Sequence, residues 1–147
     1  IAYTLPTKTT VEFVYERNYW HIYNEIDFNY DNPVAEAIFG QAKAKNWKDT
    51  NTFRLGITQE LDKLTLMGGV VIDETPIPES TLGYELPDSD SVSVSLGARY
   101  QVTDKINIGL AALYSMREDR TVNNDKLNGK FTDSTALLIS TSLEYRF

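Results

Sequence analysis

Apolar and polar residues alternate along most of this chain with a period of two. From Leu137 to Phe147, the residues Leu137, Ile139, Thr141, Leu143, Tyr145 and Phe147 fall on one face. Leu138, Ser140, Ser142, Glu144 and Arg146 fall on the other. Successive side chains of a strand point to opposite sides, so the segment predicts a strand with one apolar and one mostly polar face. Ser91 to Val102 is the cleanest case: Val92, Val94, Leu96, Ala98, Tyr100 and Val102 oppose Ser91, Ser93, Ser95, Gly97, Arg99 and Gln101. The same period runs through Val11 to Tyr15, Trp20 to Tyr30, Phe53 to Leu61, Leu64 to Ile72 and Ile106 to Met116. No stretch carries a convincing helical period, although the Ala-rich piece from Ala35 to Lys45 has room for a short helical turn in a loop.

The pattern amounts to about seven strands of roughly ten residues, the length a tilted strand needs to cross a bilayer. Glu16-Arg17-Asn18, Leu61-Asp62-Lys63 and Thr103-Asp104-Lys105 read as short charged turns. Asp31 to Thr50, Glu74 to Asp90 and Glu118 to Asp133 read as long loops. Outer-membrane barrels alternate in this way, with short periplasmic turns and long extracellular loops. The aromatic last strand, ending on Phe147, looks like the closing strand of such a barrel, which the barrel assembly machinery reads. A soluble β-sandwich or lipocalin-like barrel also alternates. The terminal Phe, the aromatic strand ends and the loop asymmetry favour the membrane. The expected fold class is all-β, an antiparallel transmembrane β-barrel of the bacterial outer membrane, surrounded by its lipid.

Composition narrows the chemistry. Mean hydropathy is -0.34, and no apolar run reaches the ~20 residues of a membrane helix. A barrel scores the same way, because half of each strand faces a polar interior. Aromatics make up 12% of the 147 residues, which suits interface girdles. Trp20, Tyr30, Trp47, Tyr100, Tyr145 and Phe147 read as membrane-interface anchors. With no cysteine, a disulfide framework and thiolate metal sites are excluded. A net charge of -7 without a basic stripe argues against nucleic acid. His21 is the single histidine; lacking a second His or Cys it reads as a hydrogen-bonded residue of the barrel interior, not a metal ligand. Asp73, Glu74, Asp88 and Asp90 supply oxygens, but their spacing matches no EF-hand loop. No Gly-x-Ser-x-Gly elbow orients a catalytic serine. Neither an enzyme nor a cofactor is expected. The chain opens at Ile1 on strand-like residues, as a chain whose signal has been removed or a part of a longer chain would.

Several ordered segments carry a family resemblance. Trp47-Lys48-Asp49-Thr50 followed by Phe53-Arg54-Leu55-Gly56 resembles the FadL/TodX family of outer-membrane transporters for long-chain fatty acids and other hydrophobic compounds. So do Leu64 to Asp73 with Glu74-Thr75-Pro76-Ile77-Pro78, and Leu86-Pro87-Asp88-Ser89-Asp90 leading into Val92 to Tyr100. Tyr3-Thr4-Leu5-Pro6 and the Trp20 segment also fit. The resemblance implies a fourteen-stranded barrel plugged by an N-terminal hatch, of which residues 1–147 would be the C-terminal half. The hatch and first strands would then come from the same protein or a second chain. If Ala2 to Pro6 began an extra strand, an eight-stranded barrel is the alternative. The implied function is passive uptake of a long-chain fatty acid or similar hydrophobic ligand. Lys43, Lys45, Lys48 and Arg54 would meet its carboxylate, and Val34, Ile38 and Phe39 would form part of an apolar capture surface. The competing reading of the cations is loop solvation and, for Arg54 and Arg99, pairing with Glu25, Asp27, Glu60 or Glu144. The alternative function is a small structural or adhesive barrel whose long loops bind a partner.

Overall fold

The computed structural model describes residues 1–147. Seven strands form one antiparallel sheet: β1 (Ala2–Thr4), β2 (Thr9–Asn18), β5 (Thr50–Glu60), β6 (Leu64–Asp73), β7 (Ser91–Gln101), β8 (Ile106–Arg117) and β11 (Thr135–Tyr145), neighbours in that order. The numbers between belong to two small hairpins inside long loops. One pairs β3 (Glu25–Ile26) with β4 (Lys43–Ala44); the other pairs β9 (Arg120–Asn123) with β10 (Asn128–Phe131). A short helix, α1 (Pro33–Phe39), lies in the first long loop. Asn32 caps it by accepting from Val34 and Ala35 N–H at 2.9 and 3.2 Å, and Pro33 opens it where no amide donor is needed.

The register explains why the alternation matters. Phe13 pairs with Leu55, Leu55 with Val70, Val70 with Val94, Val94 with Tyr114, and Tyr114 with Leu137. Glu16, Thr52, Asp73, Ser91 and Arg117 form a matching row on the opposite face. A one-residue slip in any pair would put a charged row among apolar ones, so every ladder has one acceptable register. The result is a wall with a continuous apolar face and a mostly polar face. Both lie open: Leu96 on the apolar face is 76% exposed and Leu138 on the opposite face is 58% exposed.

The seventh strand is not the one the alternation suggests. Trp20 to Tyr30 forms no wall strand; it holds a 3-10 turn at Trp20–Ile22, then β3, inside a loop spanning 19–49. Asn24, Asp27, Asn29 and Asp31 punctuate it with residues that bond their own backbone and favour turns. The missing strand is β1, joined to β2 through Leu5–Lys8. Glu16-Arg17-Asn18 is accordingly strand and not turn, paired with Asn51, Thr50 and Thr52. The helical turn expected in Ala35 to Lys45 is present as α1, slightly earlier than its composition suggests.

The sheet does not close on itself. The outer edges of β1 and β11 carry no strand partner, so the eight-stranded closed barrel is not formed. Unpaired backbone groups in hydrocarbon cost several kcal/mol each, so these edges require further strands in a bilayer. Three short turns stand at one end of the wall, at Leu5–Lys8, Leu61–Lys63 and Val102–Lys105; three long loops stand at the other. The buried apolar core sits in those long loops. Ile77, Leu82, Val122 and Leu127 are 0–4% exposed and pack against Trp47 and Phe131.

Candidate functional site

The long-loop end of the polar face opens into a pocket of about 450 Å³. Its walls come from the top of β2 and β5 (Glu16, Thr52, Arg54), the end of β6 (Asp73, Glu74), and the loops beyond (Trp20, Trp47, Pro76, Ile77, Leu86, Asp88). Each polar group is held. The Arg54 guanidinium donates to Glu16 at 2.8 Å. Asp73 accepts from the Thr52 hydroxyl at 2.5 Å, and Glu74 accepts from the Asn51 amide N–H and side chain at 2.8 Å each. Asp88 accepts from the Thr75 hydroxyl at 2.6 Å and from Arg117. These carboxylates are not arranged around a common point as a metal site would be.

Behind the pocket the three long loops lock together. Arg120 donates to the carbonyls of Asp88 and Ile77. The Asn124 side-chain amide donates to the carbonyls of Glu79 and Leu82 at 2.6 and 3.0 Å. Thr81 donates to the Lys45 carbonyl at 2.5 Å, and Lys48 N–H to the Pro76 carbonyl at 2.8 Å. Trp47 packs edge-on between Trp20 and Tyr23, with ring centroids 5.1 and 4.8 Å apart, and its indole N–H is buried without an acceptor. Trp20 and Trp47, expected as interface anchors, thus line the pocket mouth and the loop core. Tyr30 sits in the first loop with Phe39 at 6.2 Å. Tyr100, Tyr145 and Phe147 lie toward the short-turn end, where Tyr145 and Phe147 stack edge-to-face at 5.2 Å.

The four cations singled out from sequence take separate positions. Arg54 faces the pocket, paired with Glu16 and none of the carboxylates expected for it. The Lys45 ammonium reaches Glu85 at 3.2 Å. The Glu85 carboxyl is held below the ordinary range by its own backbone N–H and then by Lys45. Lys43 in β4 and Lys48 before β5 are exposed and make no ion pair. On α1, Val34, Ile38 and Phe39 are 67%, 62% and 58% exposed, an apolar surface standing in the loop that carries Lys43 to Lys48. His21 is not an interior residue. Its ring Nδ1 meets Asp49 at 2.6 Å beside Arg17, whose side shares the apolar face with Tyr15. The His21 backbone N–H is the main influence holding the Asp49 carboxyl below its usual range.

Below the pocket the polar face changes character. The mid-height rows run Glu12, Gly56, Gly69, Ser95, Leu113, Leu138 and Thr10, Thr58, Met67, Gly97, Ala111, Ser140. Glu12 is their one ionisable group; small and apolar side chains make up most of the rest. The alternation of each strand taken alone gives this face as mostly polar. The belt becomes visible only when the registers align the glycines of neighbouring strands.

The family model described as outer membrane protein transport protein (OMPP1/FadL/TodX) matches residues 1–147. This chain belongs to the FadL/TodX family. No curated protein matches it. Among solved structures, the crystal structure of a Pseudomonas aeruginosa FadL homologue is similar, with a TM-score of 0.79 and 19% identity. The match covers 98% of this chain and 34% of that one, so the chain spans about a third of the homologue's length. Family membership places this FadL/TodX chain in the bacterial outer membrane. It also assigns the two faces: the apolar one meets lipid, and the polar one, with its mid-height belt, lines the interior. The segments carrying the sequence resemblance, Trp47 to Arg54, Asp73 to Ile77 and Leu86 to Asp88, converge on the mouth pocket.

Proposed function

We propose that this chain is the C-terminal part of the wall of a larger barrel that takes up long-chain fatty acids or similar hydrophobic compounds passively. The observation that carries the reading is the belt of mostly small and apolar side chains on an interior face that the strand pattern leads one to expect mostly polar. An interior lined by water-filled polar groups suits hydrophilic solutes; small and apolar side chains at mid-height suit a hydrocarbon. The apolar surface of α1 serves capture, the mouth pocket admits the ligand, and release follows through the wall. The ladders from β2 to β11 are unbroken, so the lateral exit belongs to strands outside residues 1–147. The remaining strands and a hatch come from the same protein, and the terminal strand is delivered to the barrel assembly machinery.

The test is uptake of a radiolabelled hydrophobic compound into proteoliposomes containing the complete barrel that carries this chain. A Cβ built at Gly56 meets only Glu12, at 3.9 Å, so Gly56→Trp projects into the interior without striking the wall. Uptake should fall at least severalfold while the barrel still folds. Uptake at the rate of empty liposomes in the unmodified protein would refute transport; undiminished uptake in Gly56→Trp would remove the route from this face.

A further inference from the structure

The mouth pocket holds hydrogen-bonding capacity that the protein does not itself use. Glu16, Thr52 and Asp73 share one row of the polar face, with Arg54 one row below and Asn18 one row above. The Asn18 side-chain amide donates to one Glu16 oxygen at 3.0 Å, and Arg54 Nη1 donates to the other at 2.8 Å. Those bonds orient all three groups. They leave the Arg54 Nη2 and Nε donors and the Asn18 side-chain oxygen without a protein partner. Asp73 spends only Oδ1, on the Thr52 hydroxyl. Trp20, 40% exposed, and Trp47 stand on the wall of the same pocket, whose volume of about 450 Å³ falls in the range that takes small ligands.

We propose that the mouth pocket is a saccharide-binding site, taking a hexose or short oligosaccharide independently of any hydrophobic cargo. A hydrocarbon resting here would strip water from Glu16, Asp73 and Asp88 and give nothing back. An anion would meet the same three carboxylates, and a cation would meet the free edge of the Arg54 guanidinium. A neutral polyhydroxyl ligand uses both kinds of group. Its hydroxyls donate to Asp73 and Asn18 and accept from Arg54, and the bonds to the two charged groups are charge-assisted. The C–H face of a sugar ring then meets the electron-rich face of an indole. The loops around the pocket are already locked together through Arg120, Asn124 and Thr81, so binding need not order them. Sugars of the surrounding glycolipid and free surface glycans present this same chemistry.

The experiment is isothermal titration of the complete barrel, held in phospholipid nanodiscs without sugar detergents, with glucose, galactose, mannose, maltose and lactose. At least one should bind with a Kd of about 0.1–10 mM, the range open to a small polar ligand in an open pocket. Trp20→Ala should weaken that binding about tenfold or more. Trp20 also packs on Trp47, so a second variant guards against a disturbed loop. Asp73→Asn keeps the side-chain shape and an acceptor for Thr52, and it should weaken binding severalfold and change the preferred sugar. No binding by any of the five, binding that both variants leave unchanged, or displacement of the sugar by choline would overturn the inference. Discs that contain lipopolysaccharide separate the two sources. Weaker apparent binding there assigns the pocket to the surrounding glycolipid, and unchanged binding assigns it to a free glycan. The titration reads binding without uptake, so failure of the transport test would leave its result standing.

Discussion

Leu82 and Leu96 are the same residue in two solvents. Leu82, in the loop cap, is 0% exposed and packs with Ile77, Val122 and Leu127. Leu96, in the middle of β7, is 76% exposed on the apolar face. The cap is built like a small soluble protein, excluding water with its own side chains. The wall buries almost nothing within itself; only Thr50 and Thr52, at the top of β5, are buried there. Its apolar face relies on lipid and its stability on unbroken ladders. The two halves of the molecule therefore respond to opposite kinds of substitution: the cap to loss of volume, the wall to gain of charge.

The strongest break in that comparison is Leu82→Ala. It should cost the cap about 2–5 kcal/mol through lost transfer energy and an unfilled cavity. Limited proteolysis should then cut residues 74–90 and 118–134 faster, while the gel mobility of the folded barrel before heating stays the same. Loss of the folded barrel would show that cap and wall are one cooperative unit.

Leu96→Arg probes the other side. A charge near the bilayer midplane on the lipid face should cost about 2–4 kcal/mol, read as a lower yield of folded barrel in vesicles. Leu96→Ala should be mild, because lipid closes over the site where protein around Leu82 cannot. If Leu96→Ala were as damaging as Leu82→Ala, the apolar face would be packed against protein and not lipid.

The smallest effect is electrostatic and confined to the cap. Asp119 accepts from the Lys130 ammonium at 2.9 Å and from Asp133 N–H at 3.2 Å. Lys130 first, then that amide, hold its carboxyl below the ordinary aspartate value. A depressed folded value means the stabilisation is fully present above the ordinary value and is lost as pH falls through the depressed one. Acidification into that window should loosen the loop 118–134 in hydrogen exchange, and Lys130→Met should remove most of this pH dependence. Because the pair is exposed, high salt should weaken the effect.

The seven-strand count was legible in the chain, but one of its strands was not. Val92 to Val102 alternates without a fault and is β7; Trp20 to Tyr30 alternates nearly as well and is a loop. Alternation records which face a segment would present, not whether a neighbour is there to pair with it. β5 takes β2 as its partner, so the Trp20 segment has no ladder to join. The candidate site divides in the same way. The apolar loop residues Val34, Ile38 and Phe39 could be named from sequence. The mouth pocket could not, because Glu16, Arg54, Glu74 and Asp88 come from four separated segments.

The sequence by itself determined the two faces, the alternation of short turns and long loops, and the family, because each depends on residue type at fixed local spacing. Only the tertiary structure decided the strand partners, the loop core, the pairing of Arg54 with Glu16, and the belt of mostly small and apolar side chains across the interior. Those arise from residues far apart in the chain, brought level by ladder register, and local spacing carries no record of which row a residue will share.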